Sequence, residues 1–424
     1  MLKKHPRGLV VIFFTEVWER FGFYTLSAIY VLYMEKEFGW DDSTKGNVYG
    51  AFLLLAYLFP VVGGWLGDKV LGPKRTVRIG LVMMAVGYAL IAASSMERIP
   101  LYLMGLLLVA VGTGIFKVNM AVSVGSLYER NDPRRDAGFN IYYMGVNIGA
   151  ALAPLVATVI SSVFHSYNIS FAVAGAGMVL ALIIFETGKK SLPDSNPAAA
   201  RESVSGAPAS NQNTPEDRQR VMTLFTLFAI VIFFWISFYQ NGLALTLFAD
   251  RSTVRLDYLR PETYQFFNPF FIIVLTPILI TLFAKMRARS KEPGNPTKIF
   301  WGMSVAGFSM LVMAVAGLLG GDLDQPIMSP WWLIGSYLVI TISEILVSPM
   351  GQSFVTKVAP ARWQGLMMGF WFLGTSLGSF GSGQIGRFYS SFSHHVYFTI
   401  LAVMLLVAAL LVFLVRKRLN RFVV

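Results

Sequence analysis

Long apolar runs separated by short polar connections set the rhythm of this chain. Twelve stretches, at about 9–33, 46–68, 76–95, 99–123, 138–162, 169–187, 221–249, 264–286, 297–319, 330–350, 364–386 and 394–415, are each mostly apolar. Crossing the hydrocarbon core of a bilayer takes about 20 such residues in a helix, and helices satisfy their own backbone there. The pattern therefore predicts an all-α integral membrane protein with twelve transmembrane helices. Between the sixth and seventh runs, residues 188–220 are rich in Pro, Ser, Ala, Asn and charge, with Pro193, Pro197, Pro208 and Pro215. Such a composition reads as a flexible linker. It divides the chain into six-helix halves at 1–187 and 221–424.

Composition strengthens that picture and charge orients it. Of 424 residues, 55% are hydrophobic and 14% charged, and the mean hydropathy is +0.59, far above an ordinary soluble domain. The formal charge of +12 is no sign of nucleic-acid binding, because the basic residues gather on one side of the predicted membrane. Lys3, Lys4 and Arg7, then Lys69, Lys74 and Arg75, then Lys285, Arg287 and Arg289, and finally Arg416, Lys417 and Arg418 all fall in segments on that side. The positive-inside rule places both termini in the cytoplasm. A monomeric, multi-pass protein of the cell (inner) membrane, in contact with lipid, is expected. Lys3 to Arg7 before an apolar run look like a signal peptide, but the run carries charges and lacks a small-residue cleavage site; it reads as the first membrane helix. With no cysteine, disulfides and thiol chemistry are excluded. The histidines, at 5, 165, 394 and 395, sit at or beyond span ends and suggest no intramembrane metal site. No Gly-Lys-Ser/Thr phosphate loop occurs, so an ion gradient is the expected energy source. Nor is the nucleophile, base and oxyanion set of an enzyme visible.

Three charges interrupt the first span: Glu16, Glu19 and Arg20. Helical spacing sets Glu16 beside both of the others. Burying them is costly, so such groups usually face a water-filled cavity or a partner and mark ion pathways; the alternative is a structural ion pair locking helices, which leaves the second acid unexplained. Lys117 and Glu344 are lone ionisable groups in otherwise apolar spans, one per half. Their opposite signs suggest a bridge between halves that breaks and forms as a cavity opens. The rival is that Lys117 pairs with Glu16 or Glu19.

Glu16-Val-Trp-Glu19-Arg20-Phe21-Gly22-Phe23-Tyr24 resembles the Glu-x-x-Glu-Arg-Phe-x-Tyr-Tyr signature of the proton-dependent oligopeptide transporters of the major facilitator superfamily. Further segments resemble that family's motifs in order: Gly63-Gly64-Trp65-Leu66-Gly67-Asp68, Phe116-Lys117-Val118-Asn119, Phe139 to Gly149, Phe234-Trp235, Gln265 to Pro269, Ser343-Glu344 with Ser348-Pro349, and Met368 to Phe372. The resemblance implies proton-coupled uptake of di- and tripeptides by alternating access, with protons as coupling ion and no cofactor. It implies proton coupling at Glu16, Glu19, Arg20 and Lys117, and gating at Lys117, Glu344 and Asp68. Peptide contacts are implied at Tyr24, Tyr57, Lys117, Asn147, Trp235, Asn268, Glu344, Trp371 and Thr375, with the acid toward the peptide amino group and Lys117 and Asn147 toward its carboxylate end. Two family positions that carry a charged pair in many relatives are Ser27 and Tyr239 here, so one gate bridge is lost without an orphan charge. Many bacterial relatives insert two helices where this chain has only the linker. An alternative within the family is transport of nitrate or a peptide-like compound. A peptide sensor is less favoured, since the linker holds no recognisable partner domain.

Overall fold

The computed structural model describes residues 5–129, 132, 134–193, 215–360 and 363–421; most of the expected linker lies outside these. Within the described residues the chain is helical, with two isolated β-bridges as its only extended pairing. It divides into two compact units, Met1–Gly39 with Phe52–Pro208, and Trp40–Ala51 with Ala209–Val424.

In the first unit, α1 (Arg7–Phe38) begins directly after Pro6 and stops at Gly39, whose left-handed φ of 61° lets its N–H reach back to the Glu35 carbonyl. Then come α2 (Asp42–Trp65), of which the part from Phe52 on belongs to this unit, α3 (Pro73–Ala92), α4 (Ile99–Ser126), α5 (Arg135–Phe164) and α6 (Tyr167–Gly188). Helix α1 packs against α5 and α6, and α3 against α4. The α1–α5 approach depends on Gly149: a Cβ there would run into the Val17 carbonyl oxygen and lie 2.9 Å from Arg20 Cβ. Small residues at such crossings let membrane helices come together where no hydrophobic force pulls them.

The second unit opens with α7 (Pro215–Phe238), which passes through a 3-10 turn, Tyr239–Gly242, into a two-turn extension, Ala244–Arg251. After a 3-10 segment, Pro261–Phe266, follow α8 (Phe267–Ala288), α9 (Asn295–Leu319), α10 (Pro330–Val358), α11 (Gln364–Gly386) and α12 (His394–Asn420). The break after Phe238 frees carbonyls that a continuous helix would use, and each unsatisfied one is expensive away from water. Side chains supply donors. Tyr49 donates to the Tyr239 carbonyl at 2.5 Å, Gln265 Nε2 and Tyr337 OH donate to the Asn241 carbonyl at 2.7 and 3.1 Å, and Gln240 ties Ser382 to Tyr397.

Residues Trp40–Ala51 group with the second unit, whereas the sequence reading kept them with the amino-terminal bundle. Their charges explain why. Arg251 Nη2 lies 2.9 Å from Asp42 Oδ1, Ser390 also bonds Asp42, and Lys45, with no exposed surface, sits 2.7 Å from the same carboxylate.

Ten helical segments among the described residues are long and apolar enough to cross a membrane by length and composition. The two predicted spans that fall short are α1, diluted by its charges and tyrosines, and α11, diluted by Gly and Ser. Gly149→Ala is expected to destabilise the folded protein by about 1–3 kcal/mol through overpacking. Gly335→Ala, where a Cβ meets nothing within 4 Å, should be neutral or slightly stabilising in its helix. Thermal unfolding of both variants in one detergent distinguishes a packing effect from a general glycine effect.

Candidate functional site

Helix α1 carries Glu16, Glu19 and Arg20 into the interior of the first unit, where each is at most 4% exposed. The guanidinium forks onto Glu19, with Nε 2.5 Å from Oε2 and Nη2 2.7 Å from Oε1, and Nε also lies 3.3 Å from Glu16 Oε1. Such a two-pronged match is the strong form of a carboxylate pair. Thr113 of α4 adds a long hydrogen bond to Glu19 Oε1 at 3.4 Å, and the ring of Phe23 lies 5.2 Å from the Arg20 guanidinium carbon. Glu19 is therefore doubly held. Glu16 is held less tightly: only its Oε1 approaches the guanidinium, and the neutral hydroxyl of Tyr142 on α5 stands beside its buried carboxylate.

Lys117, half-buried on α4, holds its ammonium 5.3 Å from the centroid of the Tyr57 ring. It feels the fields of Glu16, Glu19 and Arg20, yet among the described residues no carboxylate lies at ion-pair distance from it. The rival pairing with Glu16 or Glu19 is thus electrostatic but not a contact. Tyr24 is half-buried, its ring edge-on to Phe23 at 5.6 Å; Asn147 is buried and donates to its own helix at Tyr143 O, 2.8 Å away. Asn119, two residues after Lys117, donates to Gly63 O and Ile115 O at 2.7 and 2.8 Å. Its side chain lies against Gly67, which has no room for a Cβ. This clasp holds the end of α2, where Leu66–Val70 widen into a π-helical turn. Asp68 in that turn is exposed and does not cap α3, whose N-cap is Gly72 with no side-chain bond.

In the second unit, Glu344 of α10 accepts a hydrogen bond from Asn268 Nδ2 at 2.8 Å, and the same amide nitrogen reaches Thr341 Oγ1 at 3.1 Å. Both helices present these groups because Thr341 and Glu344 are one turn apart. Glu344 is half-buried and has a neutral partner rather than a cation in this unit. Trp235 stacks on Tyr239 at 5.7 Å, with its indole N–H buried and unpartnered. Trp371 is 1% exposed and fills the space that Gly351 leaves, where a Cβ would strike the indole; Thr375 bonds its own helix at Trp371 O. The expected Lys117–Glu344 bridge joins residues of different units, and the structure describes each within its own. Among the described residues no group of three or more His, Asp or Glu is arranged for a metal.

Several participants were not singled out from the sequence. Thr113 and Tyr142 touch the α1 acids, and Thr341 shares the Asn268 amide. Spacing alone offered a signal for two: Thr113 lies four residues before Lys117, and Thr341 three before Glu344, each on the charged face of its helix.

Long apolar helices enclosing ionisable groups are those of a multi-pass membrane protein, and the family model for the Major Facilitator Superfamily matches residues 12–383. The chain is 31% identical over 430 residues to dipeptide and tripeptide permease A of Escherichia coli (strain K12), covering 91% of this chain and 84% of that protein. It is 30% identical to the uncharacterized transporter YclF of Bacillus subtilis (strain 168), covering 93% and 90%. Among solved structures, a peptide transporter POT in complex with sulfate superposes with a TM-score of 0.88 at 30% identity, covering 99% of this chain and 96% of that one. The chain belongs to the proton-dependent oligopeptide transporter family of the major facilitator superfamily.

Arg20→Ala leaves two buried carboxylates without their cation and is expected to cost about 3–5 kcal/mol of stability, as for other broken buried pairs. Adding Glu16→Gln and Glu19→Gln to that variant should restore much of the folded yield. Thermal unfolding across the series, with monodispersity in detergent, checks both expectations.

Proposed function

We propose that this protein takes up di- and tripeptides together with protons by alternating access in the cell (inner) membrane, as a monomer and without a cofactor. The observation that carries the proton part is the unequal treatment of the two α1 acids. Glu19 is locked to Arg20 through both oxygens, while Glu16 approaches the guanidinium through one oxygen at 3.3 Å and otherwise has the neutral Tyr142 hydroxyl beside it. Glu16 is accordingly the proton carrier, and Glu19 fixes the guanidinium beside it. Lys117 stands close enough to sense the charge of this pair, so loading Glu16 changes the environment of the lysine.

For the substrate, a zwitterionic peptide presents fixed opposite charges that an acid and a base can orient without reading side chains. Glu344, presented by the Asn268 amide, takes the amino group; Lys117 and Asn147 take the carboxylate end. Tyr24, Tyr57, Trp235, Trp371 and Thr375 shape the surroundings, the two tryptophans by packing as much as by contact. The named activity of the permease relative, a dipeptide and tripeptide permease, and the likeness to a peptide transporter POT mutant in complex with alafosfalin at 31% identity and a TM-score of 0.88, support this substrate class. Asp68 serves the gate from the exposed π-helical turn after α2, which Asn119 anchors through its bond to the Gly63 carbonyl and its packing on Gly67.

Purified protein in liposomes should accumulate labelled dialanine against its gradient when the outside is acidic, and nitrate should not exchange for it. Failure of dialanine to accumulate, with nitrate counterflow present, would reject the peptide reading. Glu16→Gln should abolish gradient-driven accumulation while peptide-for-peptide exchange persists, because Gln mimics a protonated acid that never releases its proton. Glu19→Gln should instead lower folded yield and both assays together. Glu344→Gln should raise the KM for dialanine at least tenfold, the loss of roughly 1.4 kcal/mol of charged contact, with smaller change for a peptide whose amino terminus is acetylated.

A further inference from the structure

A cavity of about 660 Å³ opens where the end of α8, the start of α9 and the end of α10 meet, all within the second unit. Its charges do not balance. Glu292 accepts from Arg287 at 2.5 Å and from Lys298 Nζ at 2.6 Å, and these two contacts, Arg287 first, hold its carboxyl down at about 2. It is therefore an anion under all relevant conditions. Lys357, on the α10 wall, has no carboxylate partner among the described residues. Three cations against one acid leave the cavity with a net charge of +2 (3 − 1). The start of α9 adds the positive end of its helix dipole, with Gly294 as an N-cap that provides no side-chain oxygen.

The remaining walls are apolar. Ile280 and Phe283 on α8 and Met350 on α10 line the cavity, and Phe283 also lies under the Lys298 ammonium at 4.2 Å. Ile280 is 63% exposed, on the side of α8 that faces away from the unit's core. The floor is firm: Asn295 Nδ2 donates to Ser353 Oγ at 3.2 Å and Met350 O at 3.3 Å, fixing α9 to α10. A cationic recess with an apolar flank, at the level where apolar helices give way to a polar loop, suits a ligand with an anionic head and a hydrocarbon body. Basic pockets between membrane helices on the cytoplasmic side bind lipid head groups by this logic.

We infer that this cavity is a binding site for the phosphate head group of an anionic phospholipid, with its acyl chains along the exposed face of α8. Arg287 and Lys357 meet the phosphate directly, and Lys298 is held in place between Glu292 and Phe283. The positive-inside bias assigns the site to the cytoplasmic leaflet. The inference is independent of what the protein carries.

Native mass spectrometry of the full chain, released from detergent with dioleoylphosphatidylglycerol, dioleoylphosphatidylcholine or inorganic phosphate, tests it. Phosphatidylglycerol should be retained in preference to phosphatidylcholine. Arg287→Gln with Lys357→Gln should weaken its retention about 25-fold, taking about fivefold per cation lost, while phosphatidylcholine retention stays as in the parent and reports an intact fold. A second pair, Lys69→Gln with Arg75→Gln, removes exposed basic residues of the first unit and should leave phosphatidylglycerol retention unchanged. Equal weakening by that pair would show diffuse surface charge and overturn the site. Competition by inorganic phosphate at a concentration equal to that of the lipid would overturn the lipid assignment in favour of a soluble phosphate. Unaltered retention in the Arg287/Lys357 variant would refute the inference outright.

Discussion

A guanidinium that serves two carboxylates inside a membrane bundle governs the first unit. Arg20 is the buried cation that both carboxylates share, and removing it would leave two acids uncompensated away from water. The backbone around it is arranged accordingly. Helix α5 comes close enough to cover Arg20 only because Gly149 has no side chain, and α4 turns Thr113 toward Glu19. An apolar bundle of this kind has little force of its own to hold helices together, so the ion cluster and the glycine contact act together: one demands enclosure, the other permits it.

The second unit obeys the same constraint with backbone groups in place of charges. Interrupting α7 exposes carbonyls at Tyr239 and Asn241, and tyrosine and glutamine side chains from α2, α10 and the segment before α8 reach in to satisfy them. Non-helical backbone at membrane depth is tolerated where protein covers it in this way. Tyr239 has a double part, since its carbonyl marks the break while its ring stacks on Trp235. A charged residue at that position would have to be desolvated against the same indole.

Much of this was legible in the chain itself. Twelve apolar runs foretold twelve helices, and charges placed against the grain of those runs, at Glu16, Glu19, Arg20, Lys117 and Glu344, marked the groups around which the interior is organised. What periodicity could not reveal was pairing across long separations. Nothing local in the sequence says that Asn268, rather than a cation, meets Glu344 within its unit, or that Glu19 and not Glu16 takes both prongs of Arg20. Those outcomes depend on helix rotation and on neighbours such as Thr113, which a hydropathy pattern does not encode. The membership of Trp40–Ala51 was hidden for the same reason: a helix that reads as one unbroken run belongs by its contacts to two units.

That last feature bears on the order of synthesis. Asp42 and Arg251 are separated by 209 positions, so the segment that completes the second unit is made long before the rest of that unit exists. Until the extension of α7 emerges, Asp42 lacks the Arg251 guanidinium and Tyr49 lacks the Tyr239 carbonyl it will cap. The second unit, as its contacts define it, is therefore completed by a piece that the ribosome delivers well before the rest of that unit.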